Sequence, residues 1–363
     1  MNPLARAEAD ATAPPMRSPL GLHVVSLFSL AAFAVACGGS EPSGLSPSGG
    51  GTGGATGGGG GGGTGGGGVI GEEVDAGTAN QADGACTKID FVFVIDNSGS
   101  MSEEQQNLTT NFPRFVQAIE GFRNKSGLPL DYRIAVTTTG ITHNITINMP
   151  TPPGFPFPLP PQSVNERGDD GAFLQKSSCN MSRRWLQKGD ANVAQSFSCI
   201  AKVGTNGPAF EMPLEATKRA LNDRVADGTN AGFLRQDALL AVILLTDEED
   251  CSVPLATFTA EGDNCAPPPA GAPPIADYVS MLDTVKGGGA AGRSRWASAV
   301  IAGETDCDSA FGSAEKSARL LDFVRQSGSN SVFSSICSGD LSGALTNALN
   351  TFQTACNNFQ PPR

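Results

Sequence analysis

Asp96, Ser98 and Ser100 fall at alternate positions in the segment FVFVIDNSGSM (residues 91–101), directly after a run of apolar, β-favouring residues. A carboxylate and two hydroxyls gathered at one turn, with Gly99 easing the bend, make a hard, all-oxygen environment suited to Mg²⁺ or Mn²⁺ and poor for zinc. Taken alone the pattern also fits a strand end followed by a capped helix. Two further segments add oxygen donors. Asp247 closes the apolar run in AVILLTDEED (residues 241–250), and Thr205 lies in a glycine-flanked loop, VGTNGPAF, ahead of a helical pattern.

The elements that must position these groups are five apolar runs, at residues 89–95, 132–137, 239–245, 297–302 and 331–336. None alternates cleanly, as expected of parallel strands covered on both faces. Helical spacing separates them. Leu108, Phe112, Phe115, Val116 and Ile119 mark one helix, with Ser102 its expected N-cap and Pro113 an expected kink. Pro213 opens a second, and Ile275, Tyr278, Val279 and Leu282 mark a third. SARLLDFVRQSG gives a fourth, and Asp340 is the expected cap of a fifth that carries Leu341, Leu345, Leu349 and Phe352. Alternation of strand and helix predicts an α/β fold: three layers, a doubly wound and mostly parallel sheet flanked by helices, with ligands bound beyond the carboxyl ends of the strands.

With three donor segments in this order, the chain resembles the von Willebrand factor type A (VWA) domain over residues 86–356. In that family an Asp-x-Ser-x-Ser turn, a threonine from a second loop and an aspartate from a third form the metal-ion-dependent adhesion site. The resemblance implies that Ser98, Ser100 and Thr205 meet a metal through hydroxyls, and that Asp96 and Asp247 bind it directly or through water. Mg²⁺, or Mn²⁺ or Ca²⁺, is the implied ion. Ringed mainly by neutral donors it stays electron-poor, so an acidic side chain of a partner protein can complete its shell. The third loop departs from the family, with Asp247-Glu248 in place of Asp-Gly. Thr137, Thr138 and Thr139 compete with Thr205 for the threonine role, and Glu304, Asp306 and Asp308 form either an accessory cation site or a solvated acidic loop.

The N-terminal part reads differently. Residues 20–36 hold a signal-peptide core too short to span a bilayer, and Ala34-Val35-Ala36 before Cys37 resembles a bacterial lipobox. The expectation is a lipoprotein signal over residues 1–37, starting at Met1 or Met16, with lipidation of Cys37. Gly38 and Gly39 lack the aspartate associated with inner-membrane retention, which favours an outer-membrane anchor. Residues 38–85 are dominated by glycine and have almost nothing to bury, so they predict a flexible linker with an end-to-end distance of about 40 Å. The folded domain is then 86–356, followed by a short tail at 357–363.

Nine cysteines leave an even eight once Cys37 is set aside, which in an exported chain predicts disulfides. The favoured pairs are Cys179–Cys199, Cys251–Cys265, Cys307–Cys337 and Cys86–Cys356. Two proline-rich interruptions, within about 141–200 and 251–274, are expected to be cross-linked loop insertions with little core of their own. A formal charge of −12 argues against nucleic acid and anionic lipid heads as partners. The basic group SRRWLQK (residues 182–188) reads as a solvated helix face or a contact patch.

Nothing in the chain predicts an enzyme. His143 is the only histidine after residue 23 and is expected at the surface, away from any nucleophile elbow. The glycine tract lacks the Lys-Ser/Thr ending of a phosphate loop. The expected role is therefore divalent-cation-dependent protein binding or adhesion at the cell envelope. The alternative is a structural module that recognises its partner through the two insertions, with the metal only rigidifying the turn.

Overall fold

A computed structural model describes residues 86–362, apart from 125, 150, 152, 155, 263, 264, 310, 311 and 340. The lipobox cysteine, the signal segment, the glycine-rich linker and the Asp340 cap lie outside the described residues.

The five apolar runs form β1 (Lys88–Ile95), β2 (Asp131–Thr138), β6 (Leu239–Leu245), β8 (Trp296–Ala302) and β11 (Ser331–Ser335), ordered β11-β8-β6-β1-β2 with all neighbours parallel. A sixth strand, β5 (Leu186–Gln187), pairs antiparallel with β2 at the far edge. The result is a mixed central sheet flanked by helices on both faces, a VWA/Rossmann-like arrangement.

Because successive side chains point to opposite faces of a strand, β1 feeds two cores at once. Phe91, Phe93 and Ile95 pack with α1 (Ser102–Gly121), α2 (Val193–Ile200) and α8 (Ser342–Asn357). Val92 and Val94 face the other side, toward α3 (Pro213–Lys218), α5 (Ile275–Val285) and α7 (Ala318–Ser327). Two short pieces, α4 (Arg224–Ala226) after a π-type stretch and α6 (Gly289–Arg293), complete the helices. Helix α1 runs through Pro113 and begins at Ser102 itself, whose hydroxyl bonds Glu103 instead of capping the helix.

The two insertions differ from expectation, because they build structure together. Strands β3 (His143–Asn148) and β4 (Gln162–Glu166) from the first, and β7 (Thr257–Glu261) from the second, form one three-stranded sheet ordered β4-β3-β7. A short hairpin, β9 (Cys307–Ser309) and β10 (Gly312–Ala314), follows β8. The first insertion also fills the main core: Phe197 lies 4.8 Å from Phe93 and 4.4 Å from Phe112, centroid to centroid. Disulfides join Cys179–Cys199, Cys251–Cys265, Cys307–Cys337 and Cys86–Cys356, the same four pairs as those favoured from the sequence. The last of these holds the start of β1 against the end of α8. Residues beyond Cys356 continue to pack: Phe359 is buried, and Arg295 donates to the carbonyls of Gln360 and Pro361.

At the opposite end of the sheet from the acidic turn, Arg235 donates to buried Asp90 through its backbone N–H (2.7 Å) and Nε (2.8 Å), and to Asp131 through Nη1 (2.7 Å). Lys286 sits nearby with its ammonium bonded to the Arg235 carbonyl, and burial lowers its pKa to about 8. The group SRRWLQK is not a helix face. Arg184 donates to the Phe173 carbonyl, Arg183 pairs with Asp190, and Lys188 reaches the Leu130 carbonyl, so its charges brace the edge around β5.

Candidate functional site

Register brings two of the three donor segments together. Ile95 is paired with Leu245, so Asp96 and the Thr246-Asp247 pair leave adjacent parallel strands side by side, strands that run about 4.8 Å apart. The Asp96 N–H donates to the Leu245 carbonyl (2.9 Å), which extends the ladder by one residue. The Asp96 carboxylate, fully buried, accepts the Ser98 N–H at Oδ1 (2.7 Å) and the Thr246 hydroxyl at Oδ2 (2.5 Å). The hydroxyls of Ser98 and Ser100 are 2.9 Å apart, Ser98 buried and Ser100 exposed. Ser100 also hydrogen-bonds the Asp247 carboxylate, whose Oδ1 is buried without a partner.

The third segment is clamped onto this turn from α1. Gln105 donates to the carbonyls of Asp96 (3.0 Å) and Gly204 (2.6 Å) and accepts the Gly204 N–H (3.1 Å), while the Gly207 N–H donates to the Asn97 carbonyl (2.7 Å). Thr205 therefore sits in a loop fixed beside the turn and is half-buried. Its hydroxyl makes no hydrogen bond to Asp96, Ser98, Ser100 or Asp247. The competing threonines are engaged elsewhere: Thr137 with the Ala172 carbonyl, Thr138 with Asp169 and Thr139 with Glu211.

The acidic run 247–250 divides by function. Glu249 accepts the N–H groups of Ala318 (2.7 Å) and Arg319 (3.0 Å), capping α7, as a carboxylate at a helix N-terminus does. Asp250 pairs with Arg319 (2.9 Å) and accepts from Ser252 (2.6 Å). Only Asp247 and Glu248 remain for the site. Glu304, Asp306 and Asp308 are exposed, with Asp306 bonded to the Lys316 N–H and Asp308 to Ser313, so they form a solvated loop.

Two acidic residues that the sequence reading did not single out, Glu211 and Glu104, surround the turn together with Glu248. Glu211, fully buried, accepts the Thr139 hydroxyl, contacts Asp96 and leaves Oε1 without a partner. Glu104, 2% exposed, leaves Oε2 without a partner. Glu248 is half-buried. The one available signal was the place of Glu104 in the first turn of the helix that follows the Asp-x-Ser-x-Ser turn.

Burial dominates the electrostatics. It raises Asp96, although the Thr246 hydroxyl and Ser98 oppose it, and together with the Asp96 charge it holds Glu211 well above the carboxylate range. Asp247 is pushed up to about 7 by burial and then by Asp96, against the Ser100 hydroxyl. Glu248 rises to about 8 through burial and the charges of Asp96 and Asp247, and Glu104 rises to about 7 mainly through burial. So many buried carboxylates with unpaired oxygens are costly unless a cation compensates them.

The donors fit a hard divalent ion. Among the described residues no three His, Cys, Asp or Glu side chains converge tightly enough to hold a metal by themselves. Hydroxyls and water must supply the balance, which is the chemistry of an Asp-Ser-Ser turn.

His143, expected at the surface, is buried instead. Its Nδ1 faces the Ile141 carbonyl at 2.8 Å, and Nε2 lies 3.1 Å from Glu166 Oε2, an ion-pair distance without hydrogen-bond alignment. Burial raises Glu166, but His143 and the Ala209 N–H outweigh it and leave its pKa lowered. The imidazole packs against Phe258 (centroids 5.2 Å apart) under the second sheet.

No protein-family model and no curated protein matches the chain. Among solved structures, proximal thread matrix protein 1 from the mussel byssus aligns at 10% identity over 75% of this chain and 50% of its own length, with a TM-score of 0.37. The same mussel protein with a zinc-occupied MIDAS motif aligns at 14% over 76% and 47%, with a TM-score of 0.34. The pilus adhesin SpaC from Lactobacillus rhamnosus GG, in its open conformation, aligns at 12% over 75% and 30%, also with a TM-score of 0.34. The chain thus spans half or less of these proteins. Values this low carry no argument about its site or role.

Proposed function

We propose that the chain is a cell-envelope lipoprotein, lipidated at Cys37 and tethered by residues 38–85 to the outer membrane, whose VWA-like domain binds a protein partner through a divalent cation. Asp96, Ser98, Ser100, Thr205 and Asp247 hold the ion, Mg²⁺ or alternatively Mn²⁺ or Ca²⁺. The single observation that carries this reading is the unpartnered, buried Asp247 Oδ1 beside the Ser98/Ser100 hydroxyl pair, at the carboxyl end of the central strands. A bound ion supplies an electron-poor position that accepts an oxygen ligand. The chain's own residues position it: Thr246 and the Ser98 N–H fix the Asp96 carboxylate, and Gln105 fixes the Thr205 loop. The partner offers an acidic side chain, and no turnover is proposed. His143 is buried against Phe258, and its ring nitrogens face the Ile141 carbonyl and Glu166.

A second reading has one observation in its favour. The two insertions form a single sheet, β4-β3-β7, and that sheet could be the recognition surface. A pull-down from envelope extract with and without EDTA, repeated with Asp96→Ala, separates the two. Loss of the partner in EDTA and in the folded variant supports the cation reading. Unchanged capture rejects it in favour of the sheet.

A further inference from the structure

Resting on the cation reading above, we propose that Glu104 is a further residue of that site and makes it selective for magnesium, by holding a water of the ion's shell from the first turn of α1. Ser100 lies in the tight 3-10 turn Gly99–Met101 that leads directly into α1, and Glu104 stands in the first turn of that helix. The side chain is 2% exposed, and its Oε2 has no hydrogen-bond partner. Its charge reaches Asp247, and the charge of Asp96 reaches it. A buried carboxylate oxygen left unpaired among other acids points to a missing cation or to water ordered by one.

The distance class follows from the surroundings. Among the described residues no three acidic side chains converge on one point, and the proposal places Glu104 across a water from the ion. That distinction separates the ions. Mg²⁺ dehydrates reluctantly and keeps several waters in a strict octahedron, whereas Ca²⁺ exchanges waters readily and tolerates irregular shells. A carboxylate placed to hold a bound water therefore favours Mg²⁺. The β9-β10 hairpin fixes that placement: a Cβ built on Gly312 would overlap Glu104 Oε1, so only glycine lets the carboxylate keep its position.

The test is calorimetric titration of the full chain with MgCl₂ and, separately, CaCl₂, for wild type, Glu104→Gln, Gly312→Ala and the exposed neighbour Glu103→Gln. Outer-shell losses of this kind run about 10–100-fold. Glu104→Gln is expected to weaken Mg²⁺ by that factor and Ca²⁺ by clearly less, with Glu103→Gln unchanged. Gly312→Ala, which displaces the carboxylate and keeps its charge, is expected to show the same selective loss. Mg²⁺ binding within twofold of wild type in Glu104→Gln, or equal weakening of both ions, overturns the proposal and leaves the cation site standing. Wild type binding neither ion overturns the cation reading itself.

Discussion

Replacing Asp247 by asparagine keeps the shape of the side chain and removes one buried charge. In the cation-free protein burial and the Asp96 charge raise the Asp247 pKa from 3.8 to about 7. Such a rise corresponds to about 4 kcal/mol at most, and relaxation with water entry brings the effective cost toward about 2 kcal/mol. The folded pKa lies above the unfolded one, so this stability is fully present below about pH 4 and is lost as pH climbs through about 7.

Urea unfolding in EDTA should therefore show wild type losing stability between pH 5 and pH 8, and Asp247→Asn losing about 2–4 kcal/mol less over that interval. Excess Mg²⁺ should restore wild type at pH 8 and leave the variant unmoved. If the variant and wild type keep parallel pH profiles in EDTA, Asp247 is not a charge held against its preference, and the electrostatic account of the site fails.

Three other outcomes follow from the same structure. Arg235→Met strands the fully buried Asp90 carboxylate and should cost about 3–5 kcal/mol in urea unfolding, with Asp90→Asn in the same chain recovering part of it. Replacing both Cys86 and Cys356 by alanine opens a cross-link across 270 residues and should cost up to about 5 kcal/mol by the chain-entropy account, measured under non-reducing conditions. Gln105→Ala releases the Gly204 loop from the Asp96 turn and should weaken Mg²⁺ binding while changing the melting temperature in EDTA little; unchanged Mg²⁺ affinity would show that the loop needs no clamp.

The central sheet was legible because its strands are buried on both faces and so read as unbroken apolar runs, from FVFVI in β1 to LLAVILL in β6. Asp96, Ser98 and Asp247 were legible for a related reason: polar residues stand out where such a run stops. The second sheet was not. Strand β3, HNITIN, is polar at four of its six positions, and its neighbour β7 comes from a segment more than a hundred residues away, so neither composition nor local spacing announces the pairing. His143 looked like a surface residue because the Phe258 and Glu166 that enclose it come from those same two insertions. Glu104 and Glu211 were hidden because an acid in a helix or loop is ordinarily a solvated one. Of the run Asp247-Glu248-Glu249-Asp250, two charges serve helix α7 and Arg319 and not the turn.

The bridge from Cys86 to Cys356 has a mechanical consequence. Cys86 stands at the start of β1 and the Asp96 turn at its end, so tension between those points runs along the strand. Seven residues of β1 are laced on both sides, to β2 and to β6. Such a load shears many hydrogen bonds together and does not unzip them singly. Because the sulfur link would pass part of any pull into α8, β1 cannot be drawn out alone.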